Sequence, residues 1–181
     1  MEIVTLDHGD IKIGFDIGWA RRLVGIDKSG TYDIDNQNPR LLAQDLKSAY
    51  AELAVAKYTE AYWNGNLQNF KAADAGKLQV RSTDHENGSL IIHRNEKDKD
   101  EDIFVLAVTN EIRLGEVKVK LMGWILGEDG KRGRFWKKPR EDRPAAFFVN
   151  QSALYPMSDL VAKKPVRRRK VKRTREDISE V

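Results

Sequence analysis

The stretch Glu52-Leu-Ala-Val-Ala-Lys-Tyr-Thr-Glu-Ala-Tyr-Trp63, followed at 74–82 by Asp-Ala-Gly-Lys-Leu-Gln-Val-Arg-Ser, decides how the chain reads. Its first part continues an apolar stripe that starts upstream. Leu42, Leu46, Ala49, Leu53, Ala56 and Glu60 recur at helical spacing, with Tyr50 beside them. Alanine is abundant, so propensity agrees with pattern, and a helix is expected from Leu41 to Trp63 with Gly65 as its stop. Glu52 flanks the stripe, placed to point along the edge of the core. The second part reads as a strand from Lys77 to Ser82. Alternation puts Gln79 and Arg81 on one face and Val80 on the other, in the core, with Asp74 just ahead of the strand.

Downstream, Asn87-Gly88 signals a hairpin turn into a strand from Ser89 to His93. The charged run Asn95 to Asp102 reads as a solvated loop. Ile103 to Val108 is nearly all apolar, as a strand buried on both faces would be, and Val117 to Leu126 is a further strand. Ala145 to Val149 is a short strand, and Gln151 to Leu160 a closing turn or short helix. Upstream, Ile3, Val4 and Leu6 begin a strand. Ile11, Ile13, Phe15 and Ile17 alternate with Lys12, Gly14 and Asp16, and Leu23, Val24 and Ile26 form another apolar piece. Residues 1–35 therefore read as a strand and hairpin extension, 36–162 as the core domain and 163–181 as a disordered basic tail. The fold class is α+β (α/β-like), a central mixed sheet of four or five strands flanked by helices.

The chain has 181 residues and no cysteine, which excludes disulfides, thiolate metal sites and a cysteine nucleophile. No apolar run reaches membrane-spanning length, so no membrane partner is expected. Met1 is not followed by an export signal, and an intracellular location, cytoplasmic or nucleoid-associated, is the expectation. The net charge of +4 is unevenly spread. Residues 163–181 hold nine Lys or Arg and three Asp or Glu; the rest holds 23 basic and 25 acidic residues. Basicity thus belongs to the tail, and the body is nearly balanced.

Two carboxylates and a polar strand pair have a chemistry in common. Cutting a phosphodiester requires a water to be activated and charge on the phosphoryl group to be stabilised, and a divalent cation held by oxygen ligands does both. Asp74 and Glu52 offer carboxylates and Gln79 a neutral oxygen. Arg81 offers a planar fork for a phosphate.

Glu52, the spacing to Asp74-Ala75-Gly76, and Leu78-Gln79-Val80-Arg81 resemble the PD-(D/E)XK nuclease superfamily, whose small phage and prophage members include domains of unknown role. The resemblance covers roughly residues 41–126. It implies a nuclease-like core with Glu52 as the helix carboxylate, Asp74 as the metal-binding aspartate, Gln79 where the motif has glutamate and Arg81 where it has lysine. It also implies Mg2+ or Mn2+, DNA as the substrate, and a homodimer if both strands are cut. For a phage-encoded chain the location would be the host cytoplasm. Gln79 brings no charge to a metal, and Arg81 is a poor proton acceptor.

Two further features point to a polyanion. Lys131, Arg132, Arg134, Lys137 and Lys138 lie in a Gly-rich segment with Phe135 and Trp136 between them, a pattern for phosphate contact and base stacking. Arg167, Arg168, Arg169 and Lys170 form the densest part of the tail. The plainer readings are a solvated loop and a solvated tail. His8, His85 and His93 are too scattered in sequence to form a site by themselves. The leading expectation is a metal-dependent nuclease of DNA. The alternatives are a catalytically inactive nuclease-fold module that binds nucleic acid or a partner protein, and a structural or assembly protein with a basic tail.

Overall fold

The long helix that carries Glu52 is the element around which the others pack. In the computed structural model, which describes residues 1–29, 39–65, 74–95, 98–113, 115–139, 141 and 144–162, it runs from Pro39 to Thr59 (α2). Pro39 stands in the first turn, where its missing N–H costs nothing. From Ala49 to Ala56 every side chain but Leu53 is buried, so α2 is covered on more than one side. The helix ends sooner than expected, before Gly65. Glu60 takes φ 50, and Ala61 N–H reaches back to Ala56 O, which closes the last turn as a left-handed cap.

The rest of the chain forms strands β1 (Glu2–Leu6), β2 (Leu78–Thr83), β3 (Leu90–Ile92), β4 (Ile103–Arg113), β5 (Glu116–Leu126), β6 (Trp136–Lys137) and β7 (Ala146–Val149). Helix α1 (His8–Ser29) follows β1, α3 (Gly127–Gly130) follows β5, and α4 (Met157–Ala162) follows β7. The main sheet has the order β1-β5-β4-β2, with β2 parallel to β4 and the other pairs antiparallel. A second sheet has the order β3-β7-β6. The architecture is a mixed sheet flanked by helices, an α+β fold. Strand β4 lies between β5 and β2, and Phe104 to Thr109 are all buried, as the apolar run of this stretch implied. Its side chains divide the core. Val105 and Ala107 pack with α2, Leu78, Val80 and Leu121; Phe104 and Leu106 pack with Leu90, Ile92, Phe147 and Val149 of the second sheet.

Three expectations are corrected. Residues 8–29 are a helix, not strands. The sequence carries its start signal: Asp7 and Asp10 exchange backbone N–H to carboxylate bonds, each 3.0 Å, as a reciprocal capping box. The second correction concerns Asn87-Gly88. Strands β2 and β3 do not form a hairpin, because β2 pairs with β4 and β3 with β7. The turn instead passes the chain from one sheet to the other, and Gln151 Nε2 holds it through Glu86 O and Gly88 O. Third, the run 95–102 is not merely solvated, since Asp98 is buried within it. Tail residues Arg167, Arg168, Arg169 and Lys170, and Arg140 and Arg143 of the basic segment, lie outside the described residues. Among the described residues no helix is long and apolar enough to cross a membrane.

Candidate polar site at the edge of the main sheet

Strand β2 is the edge of the main sheet, and α2 crosses beside it. A polar cavity of about 420 Å³ opens there, lined by Glu52, Ser48 and Gln44 from α2, by Asp74, Arg81 and Ser82, and by Ser89 and His93 around β3. Three of the four residues expected at a site thus meet: Glu52, Asp74 and Arg81. Gln79 does not line the cavity. Gln79 and Arg81 share the face of β2 that carries Phe104 and Leu106. Arg81 and its neighbour Leu106 line the cavity, whereas Gln79 and Phe104, two residues earlier along the strands, do not. A larger apolar cavity of about 910 Å³, between the start of β2 and α4, contains none of the four.

Glu52 is held on both oxygens. Arg21 from α1 donates Nη1 to Oε1 at 2.7 Å and Nη2 to Oε2 at 2.6 Å, and Trp63 Nε1 donates to Oε2 at 3.1 Å. Arg21 is the residue that sequence reasoning missed, because its segment read as strand. Once that segment is a helix, Arg21 falls on the side of α1 that carries the buried Gly14 and Gly18. Burial opposes the charge of Arg21, but the carboxylates Glu52, Asp74 and Asp45 together hold its pKa above the ordinary value.

Asp74 accepts Val80 N–H on Oδ2 at 2.7 Å, and Oδ1 has no hydrogen-bond partner among the described residues. Its pKa is pushed up to about 6, first by burial and then by the negative charge of Glu52; the Val80 N–H, Arg81 and Arg21 act in the opposite direction. Arg81 is not left free for a phosphate. Its Nη2 donates to Asp98 Oδ1 at 2.6 Å, and its guanidinium lies 5.3 Å from the centre of the Phe104 ring. Asp98 in turn accepts His93 N–H on Oδ2 at 2.7 Å, and its own N–H bonds Asn95 Oδ1. Arg21, Glu52, Asp74, Arg81 and Asp98 form an alternating set with one carboxylate in excess when Asp74 is ionised. Ser48 and Ser82 add a hydroxyl pair at 3.0 Å that joins α2 to β2 across the cavity.

This donor set does not fit the Mg2+ or Mn2+ that a nuclease-like site implies. Such an ion needs several oxygens converging at one point. Arg21 takes both oxygens of Glu52, Val80 takes one of Asp74, Asp98 serves Arg81 and His93, and Gln79 is outside the cavity. One carboxylate oxygen, Asp74 Oδ1, is left. Among the described residues no group of three His, Asp or Glu is placed to hold a metal ion.

In the basic segment, several cations are already matched. Lys131 bonds Asp98 O and, at 2.7 Å, Asp100; Arg132 pairs with Asp129, and Lys138 with Glu141 at 2.8 Å. Arg134 lies over the ring of Phe135. Trp136 packs its ring at 4.7 Å from that of Phe147 while remaining 40% exposed. Lys137 is exposed and makes no ion pair among the described residues. No family model, curated protein or solved structure matches the chain.

Proposed function

We propose that the chain is a nucleic-acid-binding module with a nuclease-like arrangement of polar residues in which Arg21 takes the place of a metal ion. The observation that carries this reading is the two-pronged Arg21–Glu52 pair. In a metal-dependent site, a divalent cation would sit between the helix carboxylate and Asp74 and relieve their repulsion. Here a guanidinium provides positive charge beside both, without a coordination position for a water. The partner class is supported by the exposed Lys137 and Trp136 and by the nine Lys or Arg of residues 163–181.

A hydrolytic reading competes, and Asp74 favours it. A carboxyl group with a pKa near 6 and one open oxygen in a cavity is poised to accept a proton. One experiment separates the two. The full chain is incubated with labelled single-stranded and duplex DNA in Mg2+ or Mn2+, and binding and cleavage are measured in parallel. Binding without cleavage at any metal concentration is the expected result. Metal-dependent cleavage that disappears in Asp74→Asn would overturn the proposal and establish hydrolysis at this cluster.

A further inference from the structure

The polar cavity does not end at His93. It continues into a second cavity of about 870 Å³, the two sharing Gln44, Ser82, Thr83, Ile91 and His93 along their border. Together they make one groove. Its α2 wall carries Arg40 and Lys47. Its opposite wall is the face of the second sheet turned away from the core, where Ile91 and Phe148 stand side by side in register, with Ala146 next along β7. Lys137 is paired with Ala146 across β6 and β7 and so stands on that same face. The second cavity has an apolar, partly aromatic floor with Arg40 and Lys47 in its walls and Lys137 on the same sheet face, while the first carries the carboxylates of Glu52 and Asp74. Asp84, which pairs with Lys47 at 3.0 Å, is the one acidic residue among the described residues that line the second cavity.

We infer that this groove binds a single strand of nucleic acid; the inference rests on the nucleic-acid-binding reading above and gives that binding a location. Single strands are held by cations that track the phosphates and by apolar faces on which bases stack. Phe148 and Ile91 supply the face, and Arg40, Lys47 and Lys137 supply the cations. Ser82, Thr83 and Ser89 add hydroxyl groups along the path. A duplex keeps its bases stacked inside and offers nothing to the floor. Each cavity is of the size of a small-ligand site, which suits a few nucleotides of one strand and not a double helix.

The test is fluorescence anisotropy of a labelled 12-mer of thymidine and of a 12-base-pair duplex, titrated with the full chain at 50 mM salt. The full chain should prefer the single strand by about tenfold or more. Arg40→Glu/Lys47→Glu should weaken single-strand binding by about tenfold, which corresponds to the loss of two phosphate contacts. Lys137→Glu, at an exposed strand end, is a second probe with little risk to folding and should weaken it several-fold. A comparison variant replaces Arg167, Arg168, Arg169 and Lys170 with alanine. If binding ignores both groove variants and is lost in the tail variant, the groove is overturned while nucleic-acid binding stands. Equal affinity for duplex and single strand also overturns the groove. No binding of either ligand by the full chain overturns both readings.

Discussion

Asp74 holds its place at a cost in stability. Its pKa is about 6 in the folded chain against 3.8 for an unperturbed aspartate, because burial and Glu52 disfavour the ionised form. The folded state therefore binds the proton more tightly than the unfolded state. The stability associated with this proton is fully present below about pH 4 and is lost as pH rises through 6. A difference of this size corresponds to about 3 kcal/mol. Asp74→Asn keeps an oxygen for the Val80 N–H but has no charge to bury. Urea unfolding of the variant at pH 7.5 should show a gain of about 2–3 kcal/mol over the parent chain, shrinking toward zero near pH 4. A loss of stability at pH 7.5 would mean that Arg21 and Arg81 compensate the carboxylate fully. A gain would mark Asp74 as a residue whose charge the fold tolerates and does not require, which is the behaviour of binding and catalytic groups.

At the scale of elements, the main surprise is α1. Between Ile11 and Ile17 apolar and other residues alternate, which is a strand pattern, and nothing in hydropathy contradicts it. The helix packs on α2 through glycine, which carries no hydropathy signal. A Cβ on Gly14 would stand 2.6 Å from the Tyr50 ring, and one on Gly18 would stand 2.8 Å from Leu46 Cα. The large apolar residues Ile13, Phe15, Trp19 and Leu23 are meanwhile about half exposed. A pattern read from large side chains thus describes the wrong face. The Asp7/Asp10 box was the legible sign of a helix start. What the sequence did express was α2, through apolar and alanine residues recurring at helical spacing, and the strands β4 and β5, whose buried residues are mostly large and apolar. The meeting of Glu52, Asp74 and Arg81 was legible for the same reason, since α2 and β2 were correctly typed. Arg21 was not, because it belongs to the element packed through glycine.

This gives a test of the helix pair itself. Ion pairs tie α1 to α2 along its length, with Asp10 to Lys57 near one end, then Arg21 to Glu52, and Arg22 to Asp45 at 3.6 Å. They can form together only if the helix axes stay close at Gly18. Gly18→Val places a methyl-bearing Cβ against backbone, which cannot yield as a flexible side chain would. Denaturant unfolding should show a loss of about 1–3 kcal/mol. Trp19→Ala, on the outward side one residue later, should change stability by less than about 1 kcal/mol. Equal effects at both positions would contradict the helical packing, whereas the expected contrast would also predict that Gly18→Val loosens the grip of Arg21 on Glu52.

At the scale of the whole molecule, the charge is divided between a folded body near neutrality and a terminal stretch with a net charge of about +6 by residue type. The two parts should contribute differently to binding. On the proposed single-strand reading, the groove would engage few phosphates and owe part of its affinity to stacking, which salt affects little. The terminal stretch has only counterion release to offer, and each phosphate it neutralises steepens the fall of log affinity with log salt by about 0.7 on a single strand. Removing residues 163–181 leaves α4 in place, with Met157 still buried in the core. The thermal midpoint should then stay within about 2 °C, since a stabilising change of 1 kcal/mol moves it by only a few degrees in a chain this long. The salt slope for single-stranded DNA, measured between 50 and 300 mM, should shrink by roughly 3 units as at least four terminal cations are lost from the contact. Single-strand preference should rise, because the groove that remains is the part proposed to read unstacked bases. An unchanged slope would show that Glu176, Asp177 and Glu180, or the body itself, already neutralise the stretch, and that the groove alone accounts for the affinity.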